Sequence, residues 1–137
     1  MSQAYSGGCA CGAIRYEITD EPLVSSHCQC RDCQRESGGG HASHLTFPRA
    51  GVKVEGPTSS WDMVSDSGNV KTRFFCPTCG SPVYMTFAAM PDIFTIRAAS
   101  LDDPGRYKPQ VVFYTARGYS WDDLDPALQR FDKMPPR

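Results

Sequence analysis

Short runs in which apolar and polar side chains alternate dominate the chain, and clusters of Gly, Pro, Asp and Ser separate them. This is the pattern of strands joined by turns. Ala13-Ile14-Arg15-Tyr16-Glu17-Ile18 alternates most clearly and predicts a half-buried strand. Residues 45–47, 52–54, 61–64 and 70–75 follow a looser period of two, while 83–87 and 93–96 are β-branched and aromatic, as more buried strands are. Ser65-Asp66-Ser67-Gly68-Asn69 is rich in turn formers and predicts a hairpin. Trp61, Tyr84 and Phe87 are expected in the core. Helix signals are sparse. One short helix is predicted from near Asp32 to the Gly38-Gly39-Gly40 run, where glycine makes a natural stop. A second is predicted in 121–131, with Pro126 in its first turn. The tail Pro135-Pro136-Arg137 is expected to fray. The expected fold is mainly β, in one domain covering 1–137, with one or two short helices.

Composition narrows the class. The 137 residues are 40% hydrophobic and 21% charged, as in a globular protein with a substantial core. A formal net charge of -1 gives no electrostatic reason to expect nucleic acid or an anionic membrane as partner. No apolar run approaches the roughly 20 residues that span a bilayer, and Met1 to Gly8 lacks the apolar core of a signal peptide. A cytoplasmic location is therefore expected. In that reducing setting, clustered cysteines point to metal or redox chemistry rather than disulfides.

The seven cysteines fall into three groups, Cys9-x-Cys11, Cys28-x-Cys30-x-x-Cys33 and Cys76-x-x-Cys79. On an extended strand, residues i and i+2 share a face, so both thiolates of C-x-C can reach one ion. A C-x-x-C turn does the same through a tight loop, with Pro77 setting φ and Gly80 free to take a positive φ. Zinc takes four protein ligands when structural and three when catalytic. The central group makes a three-cysteine site alone, leaving Cys9, Cys11, Cys76 and Cys79 for a closed four-cysteine site. Two zinc ions per chain are thus expected. The closed site is assigned to folding, since structural zinc binding is worth roughly 10–16 kcal/mol against a domain stability of about 5–15 kcal/mol. The three-cysteine site is open unless His27, His41 or His44 completes it, or unless one of its cysteines pairs elsewhere. An open position on zinc can hold hydroxide, polarise a carbonyl or bind an exogenous thiol.

Gly7-Gly8-Cys9-Ala10-Cys11-Gly12-Ala13-Ile14-Arg15-Tyr16 resembles the opening motif of the glutathione-dependent formaldehyde-activating enzyme family. Cys28-Gln29-Cys30-Arg31-Asp32-Cys33-Gln34-Arg35-Glu36-Ser37-Gly38 resembles its second motif, and Phe75-Cys76-Pro77-Thr78-Cys79-Gly80-Ser81-Pro82-Val83-Tyr84 its third. Ala99-Ser100-Leu101-Asp102-Asp103-Pro104, followed by Trp121, is similar to its closing segment. The resemblance implies a β-tent fold of twisted antiparallel sheets. It also implies a structural zinc at Cys9, Cys11, Cys76 and Cys79 and a catalytic zinc at Cys28, Cys30 and Cys33. The implied activity joins glutathione to formaldehyde and is classed as a carbon–sulfur lyase in the reverse direction. Gln29 stands where the family's second motif usually has His, and the chain is short beside members with established glutathione activity.

Small thiol and aldehyde substrates are therefore the expected partners, with Cys28, Cys30 and Cys33 as the reacting centre. Glutathione carries two carboxylates, so its site should offer cations. Arg31 and Arg35, within and just after the cluster, are the candidate substrate contacts, and Arg73 lies just before Cys76. Two rivals remain open on sequence: a relative acting on a different thiol or aldehyde, and a non-catalytic zinc module that binds a macromolecule. The oligomeric state has no signature in the chain.

Overall fold

A computed structural model describes residues 3–65 and 67–135. Asp66 of the predicted hairpin turn and Pro136-Arg137 of the predicted frayed tail lie outside the described residues. Two sheets account for most of the chain. The smaller orders β1 (Tyr5–Gly8), β2 (Arg15–Ile18) and β5 (Val52–Glu55) as β1-β2-β5, all antiparallel. The larger contains β3 (Val24–Cys28), β4 (Ala42–Pro48), β6 (Ser59–Val64), β7 (Val70–Phe75), β8 (Pro82–Phe87), β9 (Met90–Arg97), β10 (Val111–Phe113) and β11 (Gln129–Arg130). Its order is β11-β10-β3-β4-β9-β8-β7-β6. Pairing is antiparallel except at one edge, where β10 runs parallel to both β3 and β11.

The clearest alternating run forms a strand because it hides one face. In β2, Tyr16 and Ile18 are buried while Glu17 is exposed. Phe47, Phe94, Leu45, Ile96, Ile14 and Val83 are almost fully buried between the sheets. Phe74, Tyr84 and Phe94 stack in a column, with ring centroids 4.6 and 4.7 Å apart.

The predicted first helix is α1 (Arg31–Ser37). Cys30 caps its start, its Sγ accepting from the Cys33 amide at 3.4 Å. Gly38 ends it at φ 75°, its amide donating to the Gln34 carbonyl at 2.9 Å. A left-handed stop of this kind is where glycine costs least.

The second predicted helix does not form. Asp125 Oδ1 accepts from the Ala127 amide at 2.9 Å, a local turn that competes with helical hydrogen bonding. Gln129–Arg130 is instead strand β11, paired with β10. The core assignment of Trp61 is also overturned. It lies on the edge strand β6 and is 61% exposed, whereas Tyr84 is buried and Phe87 half-buried. No helix among the described residues is long and apolar enough to cross a membrane.

Candidate functional site

The two cysteine groupings expected from spacing come together in space. The sulfurs of Cys9, Cys11, Cys76 and Cys79 all lie within 4.8 Å of one another, with Cys9–Cys11 and Cys11–Cys76 at 3.6 Å. Zinc–sulfur bonds of about 2.3 Å in a tetrahedron require sulfurs about 3.8 Å apart, so the donors fit the ion. Cys9 and Cys11 reach this position from a turn after β1 rather than from an extended strand: the Gly12 amide donates back to the Cys9 carbonyl at 3.1 Å, and Gly12 has φ 83°. Cys76 and Cys79 repeat the arrangement between β7 and β8, with the Gly80 amide on the Cys76 carbonyl at 2.9 Å and Gly80 at φ 75°. Backbone amides also point at the sulfurs: Ile14 donates to Cys9 Sγ at 3.3 Å and Thr78 to Cys76 Sγ at 3.3 Å. Such contacts favour thiolates, and the Ile14 amide is the leading cause that lowers the Cys9 pKa. The cluster thereby ties the small sheet to the β7–β8 turn of the large one.

The sulfurs of Cys28, Cys30 and Cys33 form a second group within 4.8 Å. Cys28 ends β3, Cys30 caps α1, and Cys33 lies one turn into the helix, so a strand-to-helix corner gathers all three. No histidine joins them. His27 lies on the opposite face of β3, its Nδ1 2.9 Å from Ser43 Oγ, as strand alternation requires. His41 Nδ1 pairs with Asp122 at 2.9 Å, and His44 faces the cysteines' cavity but contacts Arg97. Gln29, at the position usually held by His, is buried and turned the other way: its Nε2 donates to Asp122 Oδ2 at 3.1 Å and its amide to the Phe113 carbonyl at 2.9 Å.

A cavity of about 290 Å³ opens onto the three cysteines. Sheet register builds its floor. Thr46 pairs with Thr95 and Thr95 with Met85, while Lys71 pairs with Phe87 and Phe87 with Met90, so these side chains line one face. Phe113 and Tyr114 close one side, Tyr114 holding φ 60°, a conformation that costs a bulky residue about 1–2 kcal/mol. Arg31 lines the cavity and donates to Gln34 Oε1 at 3.1 Å, whereas Arg35 is exposed and outside the lining.

Several residues here were not singled out by sequence: Lys71 lies outside every motif, and Gln34 and Glu36 lie within the second motif without an assigned role. Lys71 on β7 lines the cavity and is 7% exposed. Burial alone would lower its pKa, but Cys33, Cys30 and Cys28 outweigh it and raise the pKa above the ordinary lysine value. Cys30 carries the negative charge most readily, drawn down by hydrogen bonds from Cys28 and Cys33 and, against burial, by Lys71. Glu36 and Gln34 fix α1 over the sheet. The Glu36 carboxylate, 4% exposed, pairs with buried Arg97 of β9 and with Arg73 of β7 at 3.3 Å. Gln34 Nε2 donates to the carbonyls of Gln29 and Arg117, each at 2.9 Å. For Lys71 the only sequence signal was the alternation of β7, and it pointed the lysine outward.

A larger hollow of about 640 Å³ lies beside the four-cysteine cluster, against Arg15, Arg97 and Asp102. Its cations are engaged, Arg15 with Asp102 at 2.6 Å and Arg97 with Glu36, and none of the three central cysteines lines it. Of the two cavities, the smaller is the one that opens onto the three central cysteines.

Comparison with known proteins places the chain in a family. A Halomonas elongata protein named "Putative glutathione-dependent formaldehyde-activating enzyme" is 27% identical over 111 residues, covering 77% of this chain and 71% of that one. A crystal structure of a Rhodobacter sphaeroides protein shares the fold at a TM-score of 0.56 and 22% identity, covering 71% of this chain and 87% of that one. The family model for the glutathione-dependent formaldehyde-activating enzyme matches residues 4–117, a span that includes all seven cysteines, and the chain belongs to that family.

Proposed function

We propose that the chain adds a small thiol, glutathione in the first instance, to formaldehyde or a related small aldehyde, as a carbon–sulfur lyase working in the synthetic direction. The observation that carries this reading is the opening of the three-cysteine cluster, with no histidine completing it, into a cavity, while the four-cysteine cluster sits apart. In this reading Cys28, Cys30 and Cys33 hold a catalytic zinc, and Cys9, Cys11, Cys76 and Cys79 hold a structural one. When bound, the first ion supplies Lewis acidity that ionises a thiol reaching it. A free thiol of pKa about 8.5 is only about 3% ionised at neutral pH, so full ionisation is worth about thirty-fold, or ~2 kcal/mol. Holding the aldehyde beside the sulfur can contribute more, up to about 7–11 kcal/mol as effective molarity. That task falls to the cavity wall. Met85, Phe87 and Phe113 exclude water, and Arg31 offers a cation for a substrate carboxylate. Arg35, in this reading, meets a carboxylate only outside the cavity. A cytoplasmic setting would keep all seven thiols reduced.

A second reading has its own support. The cavity wall is largely apolar, which suits a less polar thiol or a larger aldehyde than the glutathione–formaldehyde pair. Calorimetry of glutathione into zinc-loaded protein, with S-methylglutathione in parallel, separates the two. Saturable binding lost on capping the sulfur is the expected result. No binding of either ligand would remove glutathione and turn the search to other thiols.

A further inference from the structure

Lys71 is, among the described residues, the one lysine or arginine buried in the cavity beside the three cysteines, and the reaction proposed above leaves it without a task. Among the described residues, no carboxylate lies within 4.0 Å of its ammonium. A buried ammonium without such a partner is costly unless another negative group compensates it. Phe87 and Met90, its partners across β8 and β9, are apolar. The groups that face it, among the described residues, are the three sulfurs, Asp32 at the start of α1 and the buried His44 of β4, and of these only the sulfurs and Asp32 can carry negative charge.

We infer that Lys71 is the specificity-determining residue that makes this cavity select an anionic occupant, the thiolate form of the substrate thiol; the inference rests on the reaction proposed above. Charge counting gives the reason. Three thiolates and a divalent ion sum to one negative charge, which the buried Lys71 offsets, while Asp32 and Arg31 at the cavity rim offset each other. An entering thiolate then leaves one net negative charge among apolar walls, where without Lys71 it would leave two. Neutral occupants such as water or a thioether gain nothing from the ammonium, so it discriminates by charge. The same counter-charge persists through bond formation. The sulfur lone pair forms the bond to the aldehyde carbon, the carbonyl π pair moves onto oxygen, and that oxygen takes a proton from water. The hydroxide produced neutralises the proton the thiol released on ionising. The sum is thiol plus aldehyde to hemithioacetal, and the negative charge moves from sulfur to oxygen beside Lys71.

The test uses thiocyanate, a small sulfur-bearing anion, and glutathione as separate calorimetric titrants of the zinc-loaded protein at low ionic strength. Lys71→Met should weaken thiocyanate binding at least about tenfold with unchanged zinc content, and Lys71→Arg should stay within about threefold of wild type, because it keeps the charge. Should Lys71→Met fail to fold, Lys71→Gln is compared with Lys71→Arg in its place. Equal thiocyanate affinity in wild type and the neutral variant overturns the role of Lys71, as does a wild-type protein that takes neither titrant. Wild type that binds thiocyanate in a Lys71-dependent way but ignores glutathione supports the role of Lys71 and removes only the glutathione reading.

Discussion

Replacing Glu36 by Gln tests how α1 is held over the sheet, and with it the placement of Cys33. The Glu36 carboxylate is 4% exposed at its side chain and faces Arg97, 8% exposed, and Arg73, 27% exposed, the last at 3.3 Å. At an effective dielectric of about 20, unit charges 3.3 Å apart interact by about 5 kcal/mol, an upper figure for Arg73 because solvent screens it. Arg97 decides the outcome, since Gln would leave its buried guanidinium without its paired carboxylate, with only the more distant cysteine sulfurs as counter-charge. Removing one member of a buried pair costs about 3–5 kcal/mol. Against a stability of about 5–15 kcal/mol, that should lower a urea midpoint by roughly 2 M, taking a slope of about 2 kcal/mol/M. Both proteins must be measured at one free-zinc concentration, because bound ligand adds its own stability. A double variant, Glu36→Gln with Arg97→Met, removes both buried charges and should recover a large part of the loss. A single variant within about 1 kcal/mol of wild type, or a double variant at least as unstable as the two single losses added, would refute the reasoning.

Other perturbations act at separate places. Cys79→Ala should leave one zinc bound in place of two and abolish cooperative unfolding, since a three-ligand remnant no longer ties the two sheets; metal analysis with thermal unfolding reads it, and a folded variant with two ions would sink the structural assignment. At Gly8→Ala the new Cβ would stand 1.9 Å from the Ile14 carbonyl oxygen, a backbone atom, so a loss of about 3 kcal/mol or more is expected. Gly38→Ala, where the Cβ meets nothing within 4 Å but φ is 75°, should cost only about 1 kcal/mol in the same denaturation assay. Burial holds His27 down to about 4, helped by His41, and His44 down to about 3, helped by Lys71. Both are below the unfolded value near 6.5, so the unfolded chain binds more protons there and stability falls as pH drops from about 6.5 toward 4. Imidazole NMR should find both rings neutral at pH 5, and a midpoint near 6.5 for either would contradict their burial.

The cysteine clusters were legible because cysteine spacing is local geometry. Cys30 and Cys33 are one helical turn apart, and Gly80 marks the positive φ of its knuckle; the matching turn at Gly12 was not read from the sequence, which placed Cys9 and Cys11 on a strand. Joining 9 and 11 to 76 and 79 needed only the arithmetic of four and three. Lys71 was not legible, because the phase of its strand is reversed. In Val70-Lys71-Thr72 the apolar residue faces solvent, 37% exposed, and the lysine faces the cavity. Composition cannot reveal that inversion, since it follows from what covers each face. Trp61 fails for the same reason: β6 is the last strand of the large sheet, and no further strand pairs with its outer side. The absent helix over 121–131 turned on competition for backbone groups. The Phe131 amide donates to the Val112 carbonyl at 2.9 Å and the Thr115 amide to the Phe131 carbonyl at 3.1 Å, bonds between distant segments that no window of eleven residues contains.

One strand links the two cysteine clusters, and that linkage gives the four-cysteine cluster a task in this fold. β7 carries Lys71 into the cavity near its start and ends one residue before Cys76. At about 3.3 Å per residue, the two positions are roughly 17 Å apart along the strand. A slip of one residue in β7 would turn every side chain over and carry Lys71 to the outer face. Its pairing with β8 already shifts between Phe74 and Phe75, where a bulge relaxes the register. The four-cysteine cluster lies immediately beyond that irregularity and fixes the strand's end against the small sheet. Arg73, midway along β7, adds a second restraint through Glu36 of α1. The phase of β7, and so the charge at the floor of the cavity, is therefore set from both ends of the segment: a sulfur cluster at one side of the bulge and an ion pair at the other.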